Sequence, residues 1–210
     1  MARITGPKCR LCRREGMKLY LKGSRCHTVK CAVERRGTVP GVHTWSRRKV
    51  STYGRQLREK QRLKRIYGVL ERQFRIYFDH AVQRKGNTGE NLLLEVERRL
   101  DNVIRCAGFG LGPSSARQVV VHGHVMVNGR RCDRPSRQVK PGDEITIIEN
   151  EKRRKHVLAN VESAKAFLGE TPAWLEVDRD KLTIKVVQMP DREQFPHSIN
   201  DQLIVEGMSK

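Results

Sequence analysis

Four of the chain's six cysteines, Cys9, Cys12, Cys26 and Cys31, fall within the first 31 residues in the spacing C-x2-C-x13-C-x4-C. They lie in a stretch that lacks the means to fold around an ordinary core. Residues 1–65 carry 20 Lys and Arg against 3 Asp and Glu, a net charge of +17, with few apolar side chains among them. Two thiolates separated by two residues grip one ion from a tight turn, and a second pair closes the tetrahedron from across a loop, as in structural zinc sites. Disulfides are the competing use. The first ten residues lack the apolar run of a signal peptide, which places the thiols in a reducing compartment and disfavours them. The spacing therefore predicts one structural zinc ion, which would supply roughly 10–16 kcal/mol of folding free energy to a segment of this kind. Four cysteine ligands leave no open position, against a catalytic metal. His27, adjacent to Cys26, is a poorer substitute ligand. Lys18-Leu19-Tyr20-Leu21, between the pairs, is expected to pair as a strand. Cys106 and Cys132 stand alone in apolar patterns and read as packing residues.

The charge is concentrated rather than spread. Residues 66–210 hold 23 basic and 20 acidic side chains, a net of +3, so nearly all of the chain's +20 sits in the first third. A field that dense repels itself unless a polyanion neutralises it, which points to nucleic acid. No apolar run approaches the roughly 20 residues of a membrane span. No lipidation signal or amphipathic anchor accompanies the charge, so a membrane surface is the weaker partner. The expected location is cytoplasmic.

Residues 38–50 read as a linker broken by Pro40 and Gly41, with a basic knot at Arg47-Arg48-Lys49 and Trp45 beside it. A helix is expected over about 52–67, capped by Ser51 or Thr52 and stopped by Gly68. Its Arg55, Arg58, Lys60, Arg62, Lys64 and Arg65 call for an outside partner. Over 70–85, Leu70, Phe74, Tyr77, Phe78, Ala81 and Val82 form a core stripe at helical spacing. Asn87 to Glu90 opens a further helix, and residues 97–108 are expected to continue helically. From 113 the texture changes: a short helix to Gly123, a strand at 124–127, a turn at Asn128-Gly129, a second turn at Pro141-Gly142-Asp143 and a β-rich run at 144–148. A helix at about 157–168 and strands at about 173–177 and 182–187 complete the pattern.

The motifs RLDNV (99–103), ARQ (116–118), HGHVMVNGRR (122–131) and VKPGDEI (139–145) closely resemble the RNA-binding domain named after ribosomal small-subunit protein four. REKQRLKRIYG (58–68), YGVLERQF (67–74), GNTGEN (86–91) and INDQLIVE (199–206) resemble the ribosomal protein family itself, and the cysteine quartet resembles that of its zinc-bearing bacterial members. The resemblance covers nearly the whole chain. Two places depart from the family pattern: Leu111 to Ser115 lacks Arg, and the C-terminus reads Gly207-Met208-Ser209-Lys210.

The resemblance implies an α+β fold: a basic four-cysteine zinc extension (1–45), a helical domain (46–97, completed by 190–210) and an RNA-binding module with a β-rich continuation (98–189). It implies direct binding to small-subunit (16S) rRNA at a multi-helix junction, early enough to nucleate assembly of the subunit body. It also implies contact with small-subunit protein five, an influence with protein twelve on translational accuracy, a position near the channel by which mRNA enters, and in some members repression of their own operon. On this reading zinc holds the loop of 9–31 so that Lys8, Arg10, Arg13 and Arg14 converge on phosphates. Arg47, Arg48, Lys49, Arg55 and Arg58 clamp the junction backbone. Arg117, Gln118, His122, His124, Asn128, Arg130 and Lys140 grip a second RNA surface.

Two other readings are weaker. An RNA-modifying enzyme would need a catalytic constellation, and the seven histidines fall into no nucleophile arrangement, with no P-loop and no G-x-G-x-x-G. A zinc-ribbon DNA regulator would need a base-reading helix at finger spacing after the cysteines, and none follows.

Overall fold

The first cysteine pair lies on a helix rather than in a turn. In the computed structural model, which describes residues 4–42, 49–167, 169–192, 195 and 199–209, the helices are α1 (Lys8–Glu15), α2 (Ala32–Arg35), α3 (Thr52–Ile66), α4 (Glu71–Gln83), α5 (Thr88–Glu97), α6 (Leu100–Cys106), α7 (Pro113–Val121), α8 (Glu151–Lys165) and α9 (Asp201–Met208). The strands are β1 (Val125–Val127), β2 (Arg130–Arg131), β3 (Glu144–Ile147), β4 (Leu175–Asp178) and β5 (Thr183–Val186). Two compact units result: residues 1–93 with 197–210, and residues 94–196.

The first unit is helical. Cys9 and Cys12, three apart on α1, share a side of that helix. The helix stops at Gly16, whose left-handed φ of 69° turns the chain back. The expected strand at Lys18 to Leu21 does not form: Tyr20 has a φ of 51°, outside the extended region, and a short 3-10 turn at Gly23–His27 follows. Ser51 caps α3 as its position predicts, its hydroxyl accepting the Gly54 backbone N–H at 3.1 Å. The stripe on α4 buries Phe74, Tyr77, Phe78 and Ala81, whereas Leu70 and Val82 at its ends stay exposed. Asn87 opens α5 by accepting the Gly89 N–H on its side-chain oxygen at 2.9 Å.

α9 closes this unit against α3, with Gln56 Nε2 donating to Glu206 across 150 residues of sequence at 3.1 Å. The buried Asp201 lies against the first turn of α5, where its negative charge suits the helix N-terminus. A Cβ on Gly89 would stand 2.1 Å from Asp201 Oδ2. Gly89→Ala is therefore expected to destabilise this unit by about 1–3 kcal/mol, the usual cost of overpacking, seen as a lower midpoint in urea unfolding followed by amide exchange in α5 and α9.

The second unit is a five-stranded, wholly antiparallel sheet of order β2-β1-β3-β5-β4, with α6, α7 and α8. The period-two pattern of the strands sends Val125, Val127, Ile145, Ile147, Ile184 and Val186 into a core with Leu100, Ile104, Phe109, Val119 and Trp174. Asn128 and Gly129 have φ of 51° and 74°, the left-handed pair that a two-residue hairpin turn requires. Cys132 is buried in this core and Cys106 packs against it, as their apolar surroundings predict. The helix expected through 97–108 is broken at Arg98 and Arg99. Arg99 bridges to Gln138, and the chain re-enters a helix only at Leu100. The α+β class holds: helices with one small antiparallel sheet. No helix among the described residues is long and apolar enough to cross a membrane.

Candidate nucleic-acid interface

The buried charges of the second unit explain why RLDN stands at the start of α6. Arg99, 2% exposed, forms a fork on Asp101, with Nε to Oδ1 at 2.9 Å and Nη2 to Oδ2 at 2.6 Å. Arg117 from α7 reaches the same carboxylate, its Nη1 3.3 Å from Oδ2. Asn102 donates to the Glu97 carbonyl at 2.9 Å and to its carboxylate at 2.5 Å, and accepts from Arg105 at 2.7 Å. Leu100 N–H and Asp101 N–H donate to the carbonyls of Arg137 and Pro135, and Arg98 donates from Nε to the Val139 carbonyl at 2.9 Å. The motif thus ties α6 to the 135–139 loop. Sequence reasoning placed Arg117 on RNA, but its guanidinium is anchored on Asp101, which sets its direction.

The hairpin motifs are clasps as well. Asn128 donates from Nδ2 to Asp143 Oδ1 at 2.8 Å and accepts the Glu144 N–H at 2.8 Å. Asp143 Oδ2 accepts the Lys140 N–H at 2.9 Å. The Asn-Gly and Pro-Gly-Asp turns are locked together, and the Asn128 amide, read from sequence as an RNA contact, is committed to that lock. Lys140 keeps its side chain exposed, as do Gln118, His122 and Arg130.

Basic side chains gather around His124: Arg131, Arg153, His122 and His156. His124 is partly buried and its ring meets that of His122 edge-on at 5.9 Å. Burial holds its pKa below the ordinary imidazole value, helped by the positive fields of Arg153, His122, His156 and Arg131. Its Nδ1 is buried without a hydrogen-bond partner among the described residues. A Cβ on Gly123 would stand 2.3 Å from Arg131 Nη2, so the glycine leaves room for that guanidinium at the end of α7.

The contribution of α8 is one that sequence reasoning missed. This helix begins at Glu151, six residues before the expected start, with the Asn150 side chain accepting the Arg153 N–H at 3.4 Å. Lys152, Arg153 and Arg154 therefore occupy its first turn. Cations at a helix N-terminus oppose the macrodipole at about 0.3–1 kcal/mol each, so helix stability does not account for them. Asn150 as a cap followed by EKRRKH was the available signal.

The first unit corrects a larger expectation. The cations of α3 do not all wait for an outside partner. Glu15, its side chain 1% exposed, holds Arg58 at 3.2 Å and also pairs with Arg65. Glu71 holds Lys60 at 3.0 Å and Lys64 at 2.5 Å, and Glu59 holds Arg62 at 2.6 Å. Burial pushes the Glu71 carboxyl up, but the hydrogen bonds from Lys64 and Lys60 outweigh it and bring its pKa to about 2. Burial lowers the pKa of Arg65; Glu15 opposes that shift, and Arg58 and Arg14 add to it. On α1, Arg13 donates from Nε to the Thr38 carbonyl at 3.0 Å and Lys8 donates to the Ile4 carbonyl at 2.7 Å. Arg10, Arg14, Lys49 and Arg55 are exposed. Arg47, Arg48 and Trp45 lie outside the described residues.

Cys9, Cys12, Cys26 and Cys31 line one small pocket, with Lys8, Lys22 and Arg25 at its margin. Cys26 Sγ accepts the Lys22 N–H at 3.3 Å, and Cys12 takes a backbone hydrogen bond from Leu19. Burial raises both thiols, while these hydrogen bonds favour the thiolates. Among the described residues no group of three or more His, Cys, Asp or Glu side chains is arranged to hold an ion. The chemistry of the donor set, four thiols on one pocket with backbone N–H groups aimed at sulfur, fits a thiophilic divalent cation.

Comparison with known proteins agrees with this anatomy. A family pattern described as "Ribosomal protein S4/S9 N-terminal domain" matches residues 3–97, and one described as "S4 domain" matches 98–145. Over the whole of both chains, the sequence is 53% identical to small ribosomal subunit protein uS4 of Solibacter usitatus and 55% to uS4A of Alkaliphilus oremlandii. It is 52% identical, again over both full lengths, to uS4 of Thermodesulfovibrio yellowstonii. With both halves matched in order and relatives matched end to end, the chain belongs to the bacterial small ribosomal subunit protein uS4 family, whose members are ribosomal proteins and not enzymes.

Proposed function

We propose that this chain binds small-subunit rRNA directly, through a basic surface on each of its two units, and that it does so early enough to nucleate assembly of the subunit body. The observation that carries the reading is the gathering of Arg131, Arg153, His122 and His156 around the partly buried His124, beside a first turn of α8 that holds Lys152, Arg153 and Arg154. The cations gathered against the α8 dipole, Lys152, Arg153 and Arg154, need a polyanion to neutralise them. The exposed Gln118, Arg130 and Lys140 of the same unit would add to that surface, with Arg117 braced on Asp101. On the first unit, Arg10, Arg14, Lys49 and Arg55 supply the exposed charge, with Arg47 and Arg48 extending it in sequence. Recognition would rest on RNA shape and backbone, since side chains do not read the deep A-form major groove.

One structural zinc ion on Cys9, Cys12, Cys26 and Cys31 is part of the proposal. It would cross-link α1 to the 3-10 turn and α2, and so fix the direction of Arg10 and Arg14. The family resemblance supports the rest: contact with small-subunit protein five, an effect on accuracy with protein twelve, proximity to mRNA, and a cytoplasmic location in the small subunit.

The test is chemical footprinting of the full-length protein on naked small-subunit rRNA at moderate salt with excess duplex DNA. Protection confined to one multi-helix junction is the expected result. Diffuse protection that disappears with salt or DNA would reduce the chain to a generic polyanion binder and overturn the proposal.

A further inference from the structure

A pocket of about 420 Å3 opens in the first unit, apart from the cysteines. Its apolar lining includes Pro7, Leu11 and Pro40, and Arg10, Arg14 and Arg65 supply its charge. Pro7, Arg10, Leu11 and Arg14 follow the spacing i, i+3, i+4, i+7, so one face of α1 forms a wall. Arg13 holds the 38–40 segment on the other side through the Thr38 carbonyl. Glu15 fixes Arg65 from α3. A site this size, apolar on its walls and cationic in its charge, suits a flat ligand with an anionic tail.

We infer that this pocket receives one unpaired nucleotide of the bound rRNA, its base against Pro7, Leu11 and Pro40 and its phosphates on Arg10 and Arg14. The inference rests on the rRNA-binding reading and adds a site to it. A paired nucleotide keeps its base faces inside the duplex, so only a residue splayed from a loop, bulge or junction presents one. Seating it would place base stacking, which is tolerant of sequence, beside the phosphate contacts.

Gly6 provides the means of testing. It lines the pocket, and a Cβ there meets nothing within 4 Å, so Gly6→Trp adds bulk at the pocket wall with no clash at its Cβ and no change in charge. The full-length zinc-loaded protein is measured against small-subunit rRNA carrying 4-thiouridine at unpaired junction positions. Gly6→Trp is expected to weaken binding about tenfold with an unchanged salt slope. The double variant Arg10→Gln, Arg14→Gln is expected to flatten the log–log salt slope by about 1.4, the value for two phosphates of a single strand. In the wild-type complex one thiouridine should cross-link to peptides spanning residues 4–14 or 38–42, and Gly6→Trp should abolish that cross-link. Wild-type affinity for Gly6→Trp, with the junction footprint intact and no cross-link to those peptides, would overturn the pocket while leaving the RNA reading standing. Absence of any wild-type footprint would overturn both.

Discussion

Chelation of the proposed zinc, or the substitution Cys12→Ser, is expected to unfold residues 8–35 and leave the unit of 94–196 protected. The argument lies in what that segment buries. Among the described residues up to 42, the buried apolar side chains are Leu19, Leu21, Cys12, Cys26 and Cys31, so three of the five are the thiols themselves. Two leucines contribute about 1.5–3 kcal/mol each. Ordering the backbone costs about 1–2 kcal/mol for every residue fixed. A metal bound at roughly 10–16 kcal/mol offsets a shortfall that two leucines do not. The measurement is amide exchange by mass spectrometry with zinc content determined in parallel. Exchange in 8–35 should rise to the unfolded rate on chelation and recover on adding zinc. Protection that persists in the metal-free protein would show that the thiols are an ordinary small core. Cys132→Ser is the control, since it disturbs the second unit and should leave the zinc content unchanged.

Asp101→Ala is expected to cost the second unit about 3–5 kcal/mol, the usual penalty for removing one partner of a buried ion pair. Two arginines converge on this carboxylate, and Arg99 has no solvent to turn to. The substitution would also release Arg117, so RNA affinity should fall by more than the folded fraction accounts for. The double variant Arg99→Met, Asp101→Leu removes both charges at similar volume and should restore much of the stability without restoring the Arg117 contact. Urea unfolding followed by Trp174 fluorescence reads the stability, and rRNA affinity under folded conditions reads the positioning. An Asp101→Ala protein within about 1 kcal/mol of wild type would show that Arg99 finds another partner.

What was legible in the sequence was local. Ser51, the middle of the apolar stripe on α4, Asn87, the Asn-Gly turn and the period-two strands each carry their signal within a few residues, and each appears where it was read. What was not legible depends on distant partners. The helix expected through 97–108 breaks because Arg99 bridges to Gln138, and nothing in RRLDN alone requests a break. The charges of α3 looked unpartnered because Glu15 and Glu71 belong to other helices. Lys18 to Leu21 has strand-like composition but no strand pairs with it among the described residues; its two leucines are buried, and Leu21 lines the thiol pocket. The helix expected at about 157–168 begins six residues earlier, because the Asn150 side chain caps it by accepting the Arg153 N–H. At the candidate RNA surface, residue type reported polarity but not the bonds made inside the protein: the Asn128 amide bonds Asp143 and the Glu144 N–H, and the Arg117 guanidinium is braced on Asp101.

The closure of the first unit by α9 has a consequence for how the polypeptide is made. Gln56 leaves the synthesising ribosome long before Glu206 exists to meet it, and Gly89 waits similarly for Asp201. The whole of 94–196 is translated in that interval and has its own core to collapse around. The order of maturation therefore runs against the direction of synthesis: the middle of the chain settles first, and the beginning is finished by the last helix. A nascent chain halted before residue 201 would display a competent second unit beside an open first one, and a partner that must engage both would reject it.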